Sequence, residues 1–464
     1  MAIVIVGLGP GDPALLTLEA DRVLRSAGAV WLRTGRHPCV EYLRAAGVRL
    51  QTFDQIYEQE DSLPQVYDEI AARVLAEDDA AGAGNEVVFA VPGHPLVGEA
   101  TTRRILEAAT QGGRPVRIVE GLSFIEPALT LLGVDALDGL QIVDALDLIQ
   151  QPYPLVDTGR GALVGHVYSR GVASDVKLAL GELYPDEHPV SLIQAAGAPE
   201  GTVAQIPLYE LDRQPGIDHR CSLYVPPLPY AGSWLGLQAL VARLRGPGGC
   251  PWDQEQTHRT LRTHLLDETY EVLEALDRDD MDELCIELGD LALQIALHIQ
   301  IAREAGEFTP TEVFAGIISK LRRRHPHVFG DVQVSGAGEV MVNWEQIKRR
   351  EKGSKDNSRL FDGVPASLPA LAQALTYQQR AARVGYRPAN GEALARLLEE
   401  WLAGAPEERA EALLGDLLFA LVASVRERHP ALNPESALRE ANARFAARFR
   451  RDQTRGSCLQ FKGE

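Results

Sequence analysis

The sequence predicts a multidomain protein, in which an N-terminal α/β domain precedes two all-α helical modules. Three observations support this prediction. The chain has 464 residues, which is too long for a single hydrophobic core. Short β-rich runs alternate with helical stretches only in its first half, and two stretches of its second half repeat one another. We place the α/β domain at residues 1–225 and the helical modules at residues 235–355 and 365–455.

The α/β domain is indicated by the rhythm of its apolar runs. AIVIVG, EVVFAVPG and PVRIVEG alternate with helical stretches such as LLTLEADRVLRSAG. This alternation is typical of an α/β domain with a largely parallel or mixed sheet. The segment PPLPYAGS, residues 226–233, is rich in proline and is predicted to be a linker. Strand signals nearly vanish beyond it.

The two helical modules resemble each other. The stretch ELGDLALQIA, which starts at residue 287, recurs as LLGDLLFALV at residue 413. A pattern that returns along a chain indicates repeated structural units. Residues 331–369 contain Gly, Ser and Pro and are interrupted by the helical NWEQIKRREK. We interpret them as the connection between two related modules.

The composition argues against several classes of protein. The formal net charge is −19, whereas a nucleic-acid backbone is held mainly by clustered Lys and Arg. No charge-free run approaches the roughly 20 residues that cross a membrane. The start, MAIVIVGLGPG, has no basic segment and is interpreted as a strand, not a signal peptide. We therefore expect no nucleic-acid partner and no membrane association.

The cysteines are consistent with a reduced compartment. Their number is 5 and they form no CxxC pair, which is the usage that a reducing environment permits. They are Cys39, Cys221, Cys250, Cys285 and Cys458. The predicted location is the cytoplasm.

Two helical patterns of the first module carry paired acids. In the first pattern, apolar residues at three- and four-residue steps form a stripe that includes Glu268, and Glu271 follows three residues later. The second pattern, residues 286–301, is apolar almost all round, which usually means burial. It contains Glu287 and Asp290 at the same spacing. The sequence thus predicts four carboxylates on facing, buried helices.

Buried carboxylates need a compensating charge. An isolated buried carboxylate costs several kcal/mol, and close neighbours also repel one another. Residues 279–302 contain no Lys or Arg. Oxygen ligands from facing helices suit Mg²⁺ or Mn²⁺, as in helix-bundle metal proteins. The alternative is a solvated helix face, which is more common for a single acid pair, whereas two pairs within apolar helices favour a metal.

Basic residues follow the acidic pairs. KLRRRHPHVF places Lys320 and Arg324 four residues apart on one helical face, where they could meet an oligophosphate. The alternative is a surface run of basic residues near a helix C-terminus, which the helix dipole favours. Both interpretations stay open.

Aromatic and histidine residues of the module are ambiguous. Trp252 in CPWDQEQT either stacks on a base or packs in the core. His258, His264 and His298 lack the spacing of metal ligands and are interpreted as structural.

These motifs resemble the MazG family of all-α nucleoside triphosphate pyrophosphohydrolases. GCPWDQEQT, LLDETYEVLEAL, ELGDLALQ, KLRRRHPHVF and NWEQIKRREK occur in the family order across residues 240–352. The resemblance implies Mg²⁺-dependent cleavage between the α- and β-phosphates, which gives a nucleoside monophosphate and inorganic pyrophosphate (diphosphate). It also implies the clearing of unwanted or non-standard nucleotides and a homodimer that completes a helical bundle.

The resemblance also implies the roles of individual residues. Glu268, Glu271, Glu287 and Asp290 would be the catalytic metal ligands, although one of them could instead serve as the general base. Trp252, Lys320, Arg324 and Lys348 would bind the substrate. Water activated by a metal is a coherent nucleophile for this reaction.

The second module departs from the family pattern. Aligning LLEEWLAGA with LLDETYEVL pairs Glu400 with Glu268 but leaves Ala403 opposite Glu271. Asp416 matches Asp290, whereas Leu413 stands in place of Glu287. We predict that this copy holds no catalytic metal and acts structurally.

The first domain resembles tetrapyrrole (corrin/porphyrin) methylases, which bind S-adenosylmethionine. The similarity begins at GLGPGDPALLTLEA and runs through VPGHP and EGLSF to about residue 225. The resemblance implies cofactor binding by seven residues, of which His94 stands where many methylases carry Asp. They are Gly9, Pro10, Gly11, Asp12, Pro92, Gly93 and His94. The alternative function is therefore a small-molecule methyltransferase whose helical modules are regulatory.

Overall fold

A computed structural model of the protein describes residues 2–60, 62–81, 86–230, 232–351, 360–386, 391–404 and 406–454. The chain forms two compact units, Met1–Thr311 and Glu312–Glu464. The first unit contains an α/β domain followed by helices, and the elements described in the second unit are helical. The predicted fold class, an α/β domain followed by helical modules, is confirmed.

Strands of the α/β domain form two five-stranded sheets. The first contains β1 (Ala2–Gly7), β2 (Val30–Leu32), β3 (Leu50–Thr52), β4 (Glu86–Val91) and β5 (Val116–Val119). The second contains β6 (Gln141–Asp144), β7 (Ala162–Gly165), β8 (Pro189–Gln194), β9 (Thr202–Pro207) and β10 (Cys221–Val225).

Helices cover these sheets. They are α1 (Leu18–Ser26), α2 (Cys39–Ala45), α3 (Asp54–Gln59), α4 (Leu63–Ala81), α5 (Ala100–Gln111), α6 (Ile125–Leu132), α7 (Ala145–Gln150) and α8 (Arg170–Gly181).

The first sheet is parallel, in the order β3-β2-β4-β1-β5. Side chains alternate along its central strand, so that Ile3 and Ile5 enter one core cluster and Val4 and Val6 enter the other. Burial on both faces explains why AIVIVG is apolar throughout. The connections leave β1 and β4 in opposite directions, which creates a crevice at the carboxyl ends of these strands.

The second sheet is mixed, in the order β6-β7-β10-β8-β9. Only its β6 and β7 pair in parallel, and the other neighbours are antiparallel. Its main core cluster packs against α7 and α8 through residues such as Leu148, Val176 and Leu180. The carboxyl ends of β6 and β7 therefore lie side by side, with Asp144 paired to Gly165.

Further helices complete the first unit. They are α9 (Trp234–Arg245), α10 (Pro251–Glu255), α11 (Arg262–Arg278) and α12 (Met281–Glu304).

Helices α11 and α12 form an antiparallel hairpin with a two-residue turn. Asp279 ends α11 in the left-handed conformation (φ 56°), which Asp tolerates better than most residues. The carboxylate of Asp280 then accepts a hydrogen bond from the Glu283 amide at 3.1 Å and caps α12. Consecutive aspartates therefore reverse the chain.

A small apolar core holds this hairpin against α9. Val241 of α9, Leu261 before α11 and Ala296 and Leu297 of α12 are all buried and in one cluster. The two helices are thus fixed at the end where α12 finishes.

The remaining helices follow. They are α13 (Pro310–Arg324), α14 (Pro326–Phe329), α15 (Ala337–Glu351), α16 (Ala370–Arg383), α17 (Gly391–Leu402), α18 (Glu407–Arg428) and α19 (Pro434–Thr454). Within the second unit, the buried Gln378 amide donates to the Phe419 carbonyl at 2.8 Å and joins α16 to α18.

The expectation that residues 286–301 are buried is wrong for one side of α12. Met281, Leu288 and Ile295 recur at seven-residue intervals and are 56%, 49% and 42% exposed. Ile286 is also exposed. The contacts of α12 with α9 and α11 cover only part of its circumference, so that an apolar stripe remains uncovered in this chain.

Helix α12 also meets the length and hydropathy conditions for a membrane-crossing segment. It has 24 residues and a window of mean hydropathy 1.4, of which 28% is buried; it is the only such helix within the described residues. A core helix of a globular protein meets the same conditions. The absence of membrane association stays a prediction.

Candidate functional site

The α11–α12 hairpin brings three of the predicted ligands together. Carboxylate oxygens of Glu268, Glu287 and Asp290 all lie within 4.8 Å of one another. Glu268 is on α11, whereas Glu287 and Asp290 are one turn apart on α12. We call these three residues the acidic triad. Oxygen atoms at such separations are suited to a hard divalent cation.

Burial and mutual repulsion raise the pKa of two triad members. The pKa of Glu268 is raised first by burial and then by Asp290 and Glu271, although Gln294 acts in the opposite direction. The pKa of Glu287, whose exposed fraction is 9%, is raised by burial and then by the surrounding carboxylates. The charged groups that act most strongly on Glu287 are all acids. A cation would remove this repulsion.

The expected burial of all four acids is wrong for two of them. Glu271 and Asp290 are exposed, whereas Glu287 is buried and Glu268 is half-buried. The hairpin packs one side against α9, and its other side is open in this chain. Glu271 lies outside the triad but close enough to raise the pKa of Glu268 and Glu287.

A row of polar side chains without acidic groups continues from the triad along α12. The Nδ1 atoms of His258 and His298 are 2.7 Å apart, and the two rings lie nearly coplanar and edge to edge, with an interplanar angle of 2° and centroids 5.0 Å apart. Gln294, between Asp290 and His298 on α12, is only 6% exposed. The sequence interpretation of the histidines as structural did not foresee this pair.

Trp252 is on the surface and not in the core. Its side chain is 53% exposed, and its ring lies edge-on to His264 with centroids 5.9 Å apart. The alternative of a packed core tryptophan is therefore wrong. The exposed ring is available for stacking.

Arg245 anchors the segment that carries this tryptophan. Its side chain, 6% exposed, pairs with Glu304 at 2.8 Å. The same guanidinium donates to the carbonyl oxygens of Asp253 and Gln256. One buried cation thus ties α9, the end of α12 and the α10 segment together.

The predicted phosphate-binding residues lie in the second unit, where two of them contact one tryptophan. Arg324 and Lys348 lie over the Trp344 ring, at 5.7 Å and 4.3 Å from its centroid. Lys320 lies one turn before Arg324 on α13. The second unit therefore carries a cluster of cations around an aromatic ring.

Arg324 is already engaged with a carboxylate. It pairs with Glu351 at 2.6 Å, and Arg323 pairs with the same carboxylate at 2.6 Å. Hydrogen bonds from Arg324 and then Arg323 lower the pKa of Glu351 to about 2. An oligophosphate bound by Arg324 would have to exchange with this carboxylate.

The two acids that the second module retains, Glu400 and Asp416, differ from the triad in their surroundings. Glu400 forms an ion pair with Arg409 at 3.3 Å. Asp416 is exposed, and Leu413, which stands where Glu287 does in the first module, is buried.

In the first domain, three glycines meet at the carboxyl ends of β1, β4 and β5. A Cβ atom on Gly7 or Gly121 would lie 2.6 Å or 2.5 Å from the Gly93 carbonyl oxygen. Gly9 and Gly93, both at positive φ, exchange backbone hydrogen bonds of 3.2 Å and 2.8 Å. We call this region the glycine crossing. It allows only backbone at the crevice between the central strands.

The other predicted cofactor residues surround the glycine crossing. The Asp12 carboxylate accepts from the Ala14 amide at 2.8 Å, and its amide donates to the Gly197 carbonyl. Pro10 also packs against Gly197, and the Gly11 carbonyl accepts from Cys39. Pro92 and His94 flank Gly93 in sequence, and the His94 ring accepts from the Leu96 amide at 3.0 Å.

Two ion pairs near this crevice could not be predicted from the sequence. Arg33 pairs with Glu99, whose side chain is 1% exposed, at 2.5 Å. His166, at the left-handed φ of 62°, pairs with Asp144 at 2.9 Å. The four residues come from distant segments, so that no local motif announces them.

Comparisons with known proteins agree with this division. The family model of tetrapyrrole (corrin/porphyrin) methylases matches residues 2–212, and that of the MazG nucleotide pyrophosphohydrolase domain matches residues 256–329. The uncharacterized protein YabN of Bacillus subtilis is 38% identical over 459 residues, which cover 96% of this chain and 92% of that protein.

Other relatives match one half of the chain. The nucleoside triphosphate pyrophosphohydrolase of Escherichia coli (strain K12) is 42% identical over 224 residues, which cover 46% of this chain and 84% of that protein. The crystal structure of uroporphyrin-III-C-methyltransferase from Thermus thermophilus is 25% identical, with a TM-score of 0.39, and covers 48% of this chain and 94% of its own.

We predict that Glu287→Gln raises the melting temperature of the metal-free protein at neutral pH. The raised pKa of Glu287 means that the folded state holds this proton more tightly than the unfolded state, so that its ionisation removes stability as the pH rises. The gain should disappear when the pH falls to about 4, near the ordinary pKa of Glu. Differential scanning fluorimetry across this range measures it.

Magnesium should reverse the order of the two melting temperatures, so that the parent becomes more stable than Glu287→Gln. Mg²⁺ is expected to raise the melting temperature of the parent protein and to raise that of Glu287→Gln less. Glu307→Gln makes the same charge change at an exposed position outside the triad and serves as the control. Equal melting temperatures for the parent and Glu287→Gln, with and without Mg²⁺, would contradict the proposed repulsion.

Proposed function

We infer the function of this chain from the family to which it belongs, the MazG nucleoside triphosphate pyrophosphohydrolases, within which it carries a tetrapyrrole methylase domain ahead of its MazG domain. The chain is a nucleoside triphosphate pyrophosphohydrolase. We propose that its substrate is cut between the α- and β-phosphates, which yields a nucleoside monophosphate and inorganic pyrophosphate (diphosphate). The acidic triad is the observation that supports this assignment.

We propose Mg²⁺ as the cofactor, with Mn²⁺ as an alternative. Glu268, Glu287 and Asp290 would hold the ion, and Glu271 is the nearest further acid. When bound, Mg²⁺ would neutralise charge on the phosphate oxygens and lower the pKa of a coordinated water. The fit rests on the donor set, since three carboxylates lie together and no basic group is among the strongest influences on Glu268 or Glu287, which favours a hard cation.

The chain's own residues would orient the substrate. The triad fixes the position of the reacting phosphate, while Lys320, Arg324 and Lys348 stay predicted phosphate contacts. We propose the clearing of non-standard nucleotides as the physiological task. Release of diphosphate leaves a monophosphate that cannot be polymerised directly, so that the reaction removes a nucleotide from use.

Glu287→Gln should reduce turnover by about 100-fold or more. A divalent cation contributes several kcal/mol of charge stabilisation in the transition state, and each 1.36 kcal/mol is about tenfold in rate. The measurement is diphosphate release from common and deaminated nucleoside triphosphates in the presence of Mg²⁺.

The same assay distinguishes loss of the proposed metal ligand from loss of folding. Glu307→Gln should retain the parent rate, and both variants should show the circular dichroism of the parent. Release of orthophosphate as the first product, or a Glu287→Gln variant as active as Glu307→Gln, would refute the assignment.

We propose that the protein is a homodimer that covers the exposed stripe of α12. Met281, Leu288 and Ile295 form an apolar row on a helix that is apolar on most sides. Apolar helix faces of this kind are typical of buried interfaces. A second copy of the hairpin would also bring partner surface near the exposed Asp290.

Leu288→Asp should convert the homodimer to a monomer. A charge at the middle of the stripe would have to be buried without a partner, which is strongly unfavourable. Sedimentation equilibrium measures the mass. Leu137→Asp, at a first-domain position that is 93% exposed, should leave the mass unchanged, and an unchanged mass for Leu288→Asp would argue against this interface.

A second candidate function is supported by the methylase family match. We propose that the first domain binds S-adenosylmethionine at the glycine crossing. Gly7, Gly93 and Gly121 let the backbone after β1, β4 and β5 converge where the strand order reverses. Methyl transfer stays a separate hypothesis, because His94 stands where many methylases carry Asp.

Calorimetric titration tests this binding. The parent and Gly28→Ala should release heat with S-adenosylmethionine, since a Cβ atom on Gly28 meets nothing within 4 Å. Gly121→Ala should weaken binding by about tenfold or more, because overpacking of this kind costs about 1–3 kcal/mol. No heat with the parent protein would remove the proposal.

The predictions of a cytoplasmic location and of no nucleic-acid partner stay predictions. The net charge of −19 supports the second of them.

A further inference from the structure

The polar side chains that follow the acidic triad along α12 include buried atoms that lack hydrogen-bond partners. Within the described part of the chain, no hydrogen bond reaches Oε1 of Gln294 or Nε2 of His298. Gln294 is 6% exposed. Buried polar atoms are nearly always hydrogen-bonded in folded proteins. Two of them on one helix, next to the triad, require a partner that the chain does not supply.

The spacing along α12 aligns these polar side chains with the triad. Glu287, Asp290, Gln294 and His298 follow one another at three- and four-residue steps, which places them on one face. His298 is eight residues beyond Asp290, or roughly 12 Å at the helical rise of about 1.5 Å per residue. A base whose α-phosphate lies at the triad would be within reach of this position.

The His258–His298 pair has a fixed hydrogen-bonding capacity. One neutral ring must donate through Nδ1 and the other must accept, since the atoms are 2.7 Å apart. The ring that donates through Nδ1 has an accepting Nε2, and the other ring has a donating Nε2. The two Nε2 atoms of the pair thus offer one donor and one acceptor. If both rings change tautomer, the donating and accepting Nε2 atoms exchange.

Aromatic surface on the hairpin lies away from its turn, since Tyr270 of α11 is 45% exposed and the other aromatic rings lie toward the opposite end. Residues 271–288 contain no aromatic side chain and are rich in Asp and Glu. The opposite end carries the exposed Trp252 against His264 as well as the coplanar pair of histidines. Bases bind on aromatic rings because their faces stack. The nucleoside end of a substrate therefore belongs at the histidine end.

We propose that Gln294 and the His258–His298 pair bind the base of the nucleoside triphosphate, in a subsite that extends from the acidic triad. This proposal rests on the proposed pyrophosphohydrolase function. Gln294 and His298 would bond to polar atoms on the edge of the base, and Trp252 would contact its face. Because the histidine pair can present a donor or an acceptor, the subsite accepts both amino- and oxo-substituted bases.

Kinetics on substrates with and without a base test the subsite. Gln294→Leu and His298→Asn should raise KM for nucleoside triphosphates roughly three- to tenfold, the size of one uncharged hydrogen bond. Ribose 5-triphosphate, which lacks a base, should react equally with the parent and His298→Asn. Gln294→Leu also removes a hydrogen bond to Glu268, so it should lose more with the nucleoside triphosphate than with ribose 5-triphosphate.

Gln300→Leu provides a matched control. Gln300 is a buried glutamine on the same helix, 5% exposed, but its amide is bonded to Glu304 at 2.9 Å on another face. It should leave KM unchanged for both substrates. Equal losses with and without the base in Gln294→Leu, or no change in KM, would overturn the proposal.

A direct binding measurement tests the base subsite independently of the proposed pyrophosphohydrolase activity. Titration of a nucleoside monophosphate and of ribose 5-phosphate into the Mg²⁺-loaded protein should show a base-dependent gain in affinity that Gln294→Leu reduces and Gln300→Leu retains. An inactive parent that still shows this gain would refute the pyrophosphohydrolase assignment alone. A parent that shows no gain would refute the base subsite.

Discussion

Electrostatic repulsion among Glu268, Glu287 and Asp290 is the constraint on which the rest of the helical region depends. Their oxygen atoms lie within 4.8 Å of one another, and burial together with neighbouring carboxylates raises the pKa of two of them. Such an arrangement is unfavourable unless a cation offsets it. At the proposed metal site, binding of a divalent ion would relieve this repulsion, so that an unfavourable feature of the metal-free fold would serve its chemistry.

The surrounding structure holds the acids in place against this repulsion. Aspartates at the turn reverse the chain between α11 and α12, and the small core around Leu261 and Leu297 fixes the opposite end of the hairpin. Arg245 then joins α9 and Glu304 to the segment that carries Trp252. Rigid support on both sides keeps the carboxylates from moving apart, which is what a metal site needs before the ion arrives.

Periodic features of the structure could be predicted from the sequence, whereas contacts between distant segments could not. The alternating strands and the acid spacing on α11 and α12 are local patterns, and they identified the fold class and the residues of the triad. Exposure was predicted less well, because the burial of Asp290 and Leu288 depends on what covers the helix. The Arg33–Glu99 and His258–His298 pairs join residues far apart in the chain, and single-sequence periodicity contains no signal for them.

The turn at Asp279 and Asp280 has a consequence for how the hairpin can change in length. Each residue inserted into or deleted from α12 ahead of Glu287 would rotate the following helix by about 100°. Such a rotation would carry Glu287 and Asp290 away from Glu268 while leaving every ligand present in the sequence. Insertions are therefore tolerable in the loops beyond the hairpin but not within α12 ahead of Glu287, and a relative that has all these acids together with such an insertion would no longer bring them together.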